Sequence, residues 1–231
     1  MASEVAATTL FWFPYSSYSI KVHTVLALRE EPFRVEGVPY GNRSRLAQLT
    51  GGYVHVPVIL RPGGSVITDS RAICAALTAD ARGAPLAPEG QAAAVWALSD
   101  WADQVFEDAV FRIASPALRD RFVDPWERAL FVLVKERRWG AGAVERWRQE
   151  EPALVRRALE LLEPLTRDLA NRPFLLGDRP TLADAALYGQ LAMLRFAAGS
   201  WPAWLPGPVA AHAERMARAV AGRAAWELSR G

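Results

Sequence analysis

One cysteine in 231 residues, Cys74, excludes an intrachain disulfide, a paired-cysteine redox motif and a cysteine-based metal cluster, and suits a reducing compartment such as the cytoplasm. Charge of one sign is scarce as a block. The 27 basic and 25 acidic residues leave a formal charge of +2, and without a long basic run the electrostatic footprint of a nucleic-acid binder is missing. No apolar stretch approaches the roughly 20 residues of a membrane span. The opening MASEVAATTLFWF has no basic segment leading into a sustained apolar one, so neither an export signal nor a membrane anchor is expected. Internal repeats and low-complexity tracts are absent beyond Ala-rich helix surface. What remains is a chain that is 51% apolar, ample for the core of one large domain or two ordinary ones.

From Thr9 to about Ala79 short apolar runs alternate with short helical patterns, which is how a small mixed-sheet α/β unit reads. TLFWF is the first strand. The stripe Val22, Val25 and Leu26, opposed by Lys21, Thr24, Arg29 and Glu30, predicts a helix that ends before Pro32. FRVEGV is a second strand, RSRLAQLT a short helix stopped by Gly51 and Gly52, and PVILR a third strand. A hairpin turning at Pro62 to Gly64 leads into the return strand SVIT, after which Asp69 or Ser70 can cap a helix through Ile73 and Leu77. This order allows parallel pairing across the first crossover and antiparallel pairing at the hairpin. ADARGAPLAPEG then breaks the pattern, setting domains at 1–80 and 91–231 with a linker at 81–90. Beyond it Val95, Leu98, Ala102, Val105, Phe106, Ala109 and Ile113 recur at three and four residues, predicting one long amphipathic helix. Further helices fit 125–137, 143–169, 182–197 and 207–221, with Pro152 and Pro164 expected to break or bend the one over 143–169.

Four segments in order, SSYSIKVHTVLAL, HVPVIL, TDSRAI and GDRPTLADAALYGQL, resemble motifs of the cytosolic glutathione transferases, whose layout is a βαβαββα unit followed by helices. The first is similar to the serine-type classes, zeta-like, theta-like and tau-like, in which a Ser stands five residues before a basic residue followed by Val. Ser16 holds that place before Lys21 and Val22. The resemblance implies a thioredoxin-like α/β domain that binds glutathione as co-substrate, an all-α second domain, a homodimer, and no metal. The implied reaction conjugates glutathione to a small apolar electrophile.

The chemistry this asks of the residues is definite. A thiol with pKa near 8.5 is only a few per cent thiolate at pH 7, and the thiolate is the nucleophile. A hydroxyl donating to the sulfur at the positive end of a helix favours the anion. By the resemblance that hydroxyl is Ser16; Ser17 is the alternative, and otherwise Ser17 and Ser19 serve helix initiation. A cis bond before Pro57 would turn the N–H and C=O of Val56 outward to pair with the cysteinyl backbone of the tripeptide, whereas a trans proline would only open an edge strand. Ser70 suits the γ-glutamyl carboxylate and Asp69 its ammonium, although plain helix capping would look identical in sequence. His55 stands where relatives carry Lys or Gln toward the glycyl carboxylate, or else it faces solvent. Phe13, Tyr15, Gln104, Val105 and Asp108 are the expected lining of the electrophile pocket. Thr181 and Asp184 form a T-x-x-D cap with a folding role. Cys74 reads as a small buried side chain, and Trp96 and Trp126 as core or dimer contacts. Tyr18 replaces the Cys of the zeta-like SSCS, which sets isomerisation behind conjugation. Dehalogenase or peroxidase chemistry, and a non-catalytic transferase-like binding module, are the other readings.

Overall fold

A computed structural model describes residues 7–80 and 83–221. Residues 1–6, part of the expected linker at 81 and 82, and the chain from 222 onward lie outside the described residues.

The sheet is built around β1 (Thr8–Trp12), buried along its whole length. It pairs in parallel with β2 (Phe33–Gly37) and antiparallel with β3 (Val58–Leu60), and β3 pairs antiparallel with β4 (Val66–Thr68), giving the order β2-β1-β3-β4. Alternation of side chains along the inner strands fills two layers. Leu10 and Ile59 pack against α1 (Ser17–Leu28) and α3 (Ser70–Ala79), while Phe11 and Val58 meet Leu46 of α2 (Ser44–Thr50) on the other face. The first unit is therefore the thioredoxin-like βαβαββα arrangement, and the second unit is helical.

Helices α4 (Ala92–Trp101) and α5 (Glu107–Arg121) are joined through one wide π turn, Ala102–Phe106, and are followed by α6 (Pro125–Trp139), α7 (Ala143–Leu169), α8 (Leu182–Ala198) and α9 (Gly207–Val220). Helix α8 is buried over nearly its whole length and packs on α1, α4, α5 and α9. That contact corrects the reading of α1 as one-sided: Lys21 and Thr24, placed on its polar face, are covered, because α8 occupies that side. Gly189 makes the approach possible. A Cβ there would stand 2.5 Å from the Ser17 carbonyl oxygen and 3.2 Å from the Lys21 nitrogen.

Pro152 and Pro164 do not break α7, which runs unbroken for 27 residues. Both lie on its exposed face, where the carbonyl a proline leaves unbonded can turn to water. Trp126 is also a correction as a core residue, being 64% exposed. Cys74 is buried in α3, and burial pushes its thiol up to about 11. The Asp184 carboxylate accepts the N–H and hydroxyl of Thr181 at 2.8 and 2.9 Å and the N–H of Leu175 at 2.9 Å, and it faces His212 Nε2 at 2.9 Å. It ties α8 to the segment before it and to α9. No helix among the described residues is long and apolar enough to cross a membrane.

Candidate functional site

A cavity of about 560 Å³ opens where the chain leaves β1 and enters α1. The α1 start is shaped by a turn in which Ser16 N–H donates to Phe13 C=O at 3.1 Å. Ser16 is then the N-cap, extended at φ −88° and ψ 117°, and its Oγ accepts from Ser19 N–H at 3.3 Å. Capping therefore falls on Ser16 itself; Ser17 and Ser19, expected to initiate the helix, lie inside it and are buried. The two roles weighed for Ser16 are compatible. A hydroxyl accepts through its lone pairs and still has a proton to donate.

The cavity brings together Phe13, Tyr15, Ser16, Ser17, His55 and Val56. Phe13 and Tyr15 stack at 5.3 Å between ring centroids, and burial raises the Tyr15 phenol far above its ordinary value. The Val56–Pro57 peptide bond is cis, with Pro57 buried just before β3. Pro57, Asp69 and Ser70 are not in the cavity wall: Pro57 follows Val56 of the wall, and Asp69 and Ser70 open α3, where Tyr53 sits beside Asp69 and packs edge-to-face with His55 of the wall at 5.4 Å between ring centroids. Asp69 caps α3, its Oδ1 accepting from Arg71 N–H at 2.9 Å and Ala72 N–H at 3.0 Å. Its φ of +70° costs a non-glycine residue roughly 1–3 kcal/mol, held by these bonds. Ser70 follows it and is buried. Arg71 grips Asp100 of α4 through two 3.0 Å bonds, fixing this corner to the helical unit.

Gln104, Val105 and Asp108 are not brought into the cavity. Gln104 and Val105 fall in the π turn, whose extra residue rotates the apolar stripe, so Phe106 is buried while Val105 is 42% exposed. Asp108 lies on the outer face, paired with Arg112 at 2.6 Å. The turn has another use. It presents the Asp103 carbonyl to Tyr18 Oη at 2.9 Å, and the Asp103 carboxylate pairs with buried Lys21, so the first turn of α1 is pinned from this side.

Several wall residues carry no sequence expectation: Tyr40, Arg43, Glu107, Phe111 and Lys135. Desolvation, with Asp108 adding repulsion, pushes the Glu107 carboxyl up to about 7. Lys135 is buried against Phe131 and donates to Tyr40 Oη at 3.2 Å; burial first, and Arg43 second, push its ammonium down to about 7. A sequence signal existed. Lys135 follows Phe131 by four residues, so a lysine occupies an apolar-stripe position of α6.

The model of the glutathione S-transferase N-terminal domain matches residues 10–85 and that of the C-terminal domain matches 141–217. The chain belongs to the glutathione S-transferase superfamily. A search of curated proteins returned no match. Among solved structures, a glutathione S-transferase of Ceriporiopsis subvermispora in complex with glutathione is similar at 18% identity and TM-score 0.79, over 92% of this chain and 97% of that one. Glutathione transferase GSTFuA3 from Phanerochaete chrysosporium is similar at 21% identity and TM-score 0.79, over 94% and 98%. A glutathione S-transferase from Methylobacillus flagellatus with glutathione bound is similar at 19% identity and TM-score 0.67, over 94% and 99%. Like these transferases, the chain carries the superfamily's sheet unit and helical unit. No group of three or more His, Cys, Asp or Glu side chains placed to hold a metal occurs among the described residues.

Proposed function

We propose that this transferase superfamily member conjugates glutathione to a small apolar electrophile, with the Ser16 hydroxyl stabilising the thiolate and Ser17 as the alternative donor. The observation that carries the reading is the meeting, in one cavity, of the α1 N-cap hydroxyl and the Val56 segment. Lowering a thiol pKa by about two units needs roughly 2.7 kcal/mol. One hydrogen bond to a charged group, about 1.5–3 kcal/mol, and a helix-dipole contribution of about 0.3–1 kcal/mol can supply it.

In this reading the backbone of Val56, ahead of Pro57, pairs with the cysteinyl unit. Ser70 and the α3 N-terminus hold the γ-glutamyl carboxylate, Asp69 Oδ2, which neither cap bond uses, takes the ammonium, and His55 takes the glycyl carboxylate. Phe13 and Tyr15 line the electrophile pocket. The protein would act as a homodimer in the cytoplasm, in keeping with its single cysteine. Cys74, buried away from the cavity, cannot act as the reacting thiol.

The test is calorimetric titration of the protein with glutathione, followed by initial rates with glutathione and an activated aryl chloride, the thioether being identified by mass. Micromolar to millimolar binding with thioether formation is expected. A folded protein indifferent to glutathione would replace this reading with that of a non-catalytic binding module.

A further inference from the structure

We propose that the electrophile accepted here is an apolar molecule carrying an anionic group, a carboxylate or its equivalent, and that Lys135 is the specificity-determining residue that seats that group. The inference rests on the transferase reading, since it names the substrate class of the same cavity.

The buried residues of α6 are Phe131 and Lys135, one helical turn apart. Lys135 Nζ lies 3.4 Å from the centroid of the Phe131 ring, 5.4 Å from that of Tyr40 and 5.7 Å from that of Phe111, and it is 7% exposed. It donates one hydrogen bond, to Tyr40 Oη, and forms no ion pair with any described residue. An ammonium has three donors, and ring faces with one phenol recover only part of the hydration it loses on burial. An apolar side chain of equal length would pack there without that cost. Lys135 also lines the cavity, so an incoming anion can reach it.

The groups around it do not neutralise it. The segment before α2 presents Tyr40 and Arg43; Arg43 gives two of its five N–H groups to the carbonyls of Tyr40 at 3.2 Å and Val54 at 3.1 Å, lies over the rings of Phe13 and Tyr40, and as a second cation cannot neutralise Lys135. The turn before α1 presents the neutral phenol of Tyr15. Glu127 of α6 itself accepts from Gly41 N–H at 2.7 Å. Glu107 of α5 lines the cavity with its carboxyl pushed up to about 7, Arg138 acting against that rise. Helix α7 offers the apolar Val144 and Trp147, its Glu145 being paired with Arg119 at 2.8 Å. The Lys135 ammonium, pushed down to about 7 by burial and Arg43, is the cation an anion would relieve, and in a low-dielectric wall that attraction is strong. Binding of the anion then favours the charged form and takes up a proton above pH 7.

The probes are 4-phenylbutyrate and its neutral amide, titrated calorimetrically into wild type and Lys135→Met below and above pH 7, with and without saturating glutathione. Below pH 7 wild type should bind the acid about tenfold or more tighter than the amide. That preference should fade above pH 7 with proton uptake visible between buffers of different ionisation enthalpy, and should vanish in Lys135→Met. Equal binding of acid and amide by wild type overturns the proposal without any variant. So does a preference that disappears when glutathione is present, because Lys135 would then serve the tripeptide. Loss of glutathione binding by wild type removes the transferase reading, while an acid preference without it leaves the Lys135 anion site standing.

Discussion

Replacing Gly189 with alanine should disturb the site from the far side of α1. The new Cβ would meet two backbone atoms, the Ser17 carbonyl oxygen at 2.5 Å and the Lys21 nitrogen at 3.2 Å, neither of which can rotate away as a side chain would. Restoring ordinary contact, 3.4 Å or more, requires α1 and α8 to part by about 0.9 Å. Overpacking of this kind costs roughly 1–3 kcal/mol, equivalent to a fall in Tm of about 2–12 °C for a chain of this size. The carbonyl that must move belongs to the residue after Ser16, so the N-cap moves with it. Misplacement of a reacting group by about 1 Å can cost on the order of a hundredfold in rate. Differential scanning calorimetry and kcat for the aryl chloride reaction read the two effects. Gly207→Ala is the control, because a Cβ there meets nothing within 4 Å. A Gly189→Ala protein with unchanged Tm and unchanged kcat would refute the claim that this close approach positions the α1 N-terminus.

Removing the buried hub carboxylate by Asp184→Ala strands the N–H of Leu175, the N–H and hydroxyl of Thr181 and the His212 ring nitrogen; a loss of about 3–5 kcal/mol and a Tm drop of about 10 °C are expected by calorimetry. Lys135 and Glu107 should give the stability curve a dip near pH 7. Glu107 is raised to about 7 in the folded chain, so the stability it confers is complete below about 4.5 and is lost as pH rises to 7. Lys135 is lowered to about 7, so between 7 and about 10.4 the unfolded chain holds the extra proton and stability rises with pH. Urea denaturation across pH should show Glu107→Gln flattening the first limb and Lys135→Met the second, with Lys135→Met more stable than wild type below pH 7.

The strands and most helices were legible because their signals are local. FRVEGV, RSRLAQLT, PVILR and SVIT each form the expected element to within a residue or two at either end, since β-branched runs and Gly stops act over a few residues. The α4–α5 junction was not legible. Recurrence at three and four residues is nearly the same for a continuous helix and for one with an inserted π residue, yet the insertion turns Gln104 and Val105 out of the wall. For the same reason a proline on the exposed face of α7 reads like one that would break it. Ser16, His55 and Val56, the positions the motifs single out, share the cavity wall, because they lie on short segments immediately before α1 and β3. Tyr40, Arg43 and Lys135 were missed because they converge from a loop and from α6, and no spacing links residues 40 and 135. The stretch ERRWGAGAVERW turns the chain from α6 to α7. Gly140 and Gly142 there take φ of +87° and +71°, and Glu136 accepts the Gly142 N–H at 2.7 Å.

The measurement closest to the central claim is the ultraviolet titration of glutathione thiolate bound to the protein, in wild type, Ser16→Ala and Ser17→Ala. Wild type should ionise the thiol about two units below the free value near 8.5, Ser16→Ala should return most of that shift, and Ser17→Ala should leave it in place. A bound thiol that titrates at the same midpoint in wild type and Ser16→Ala would contradict the account.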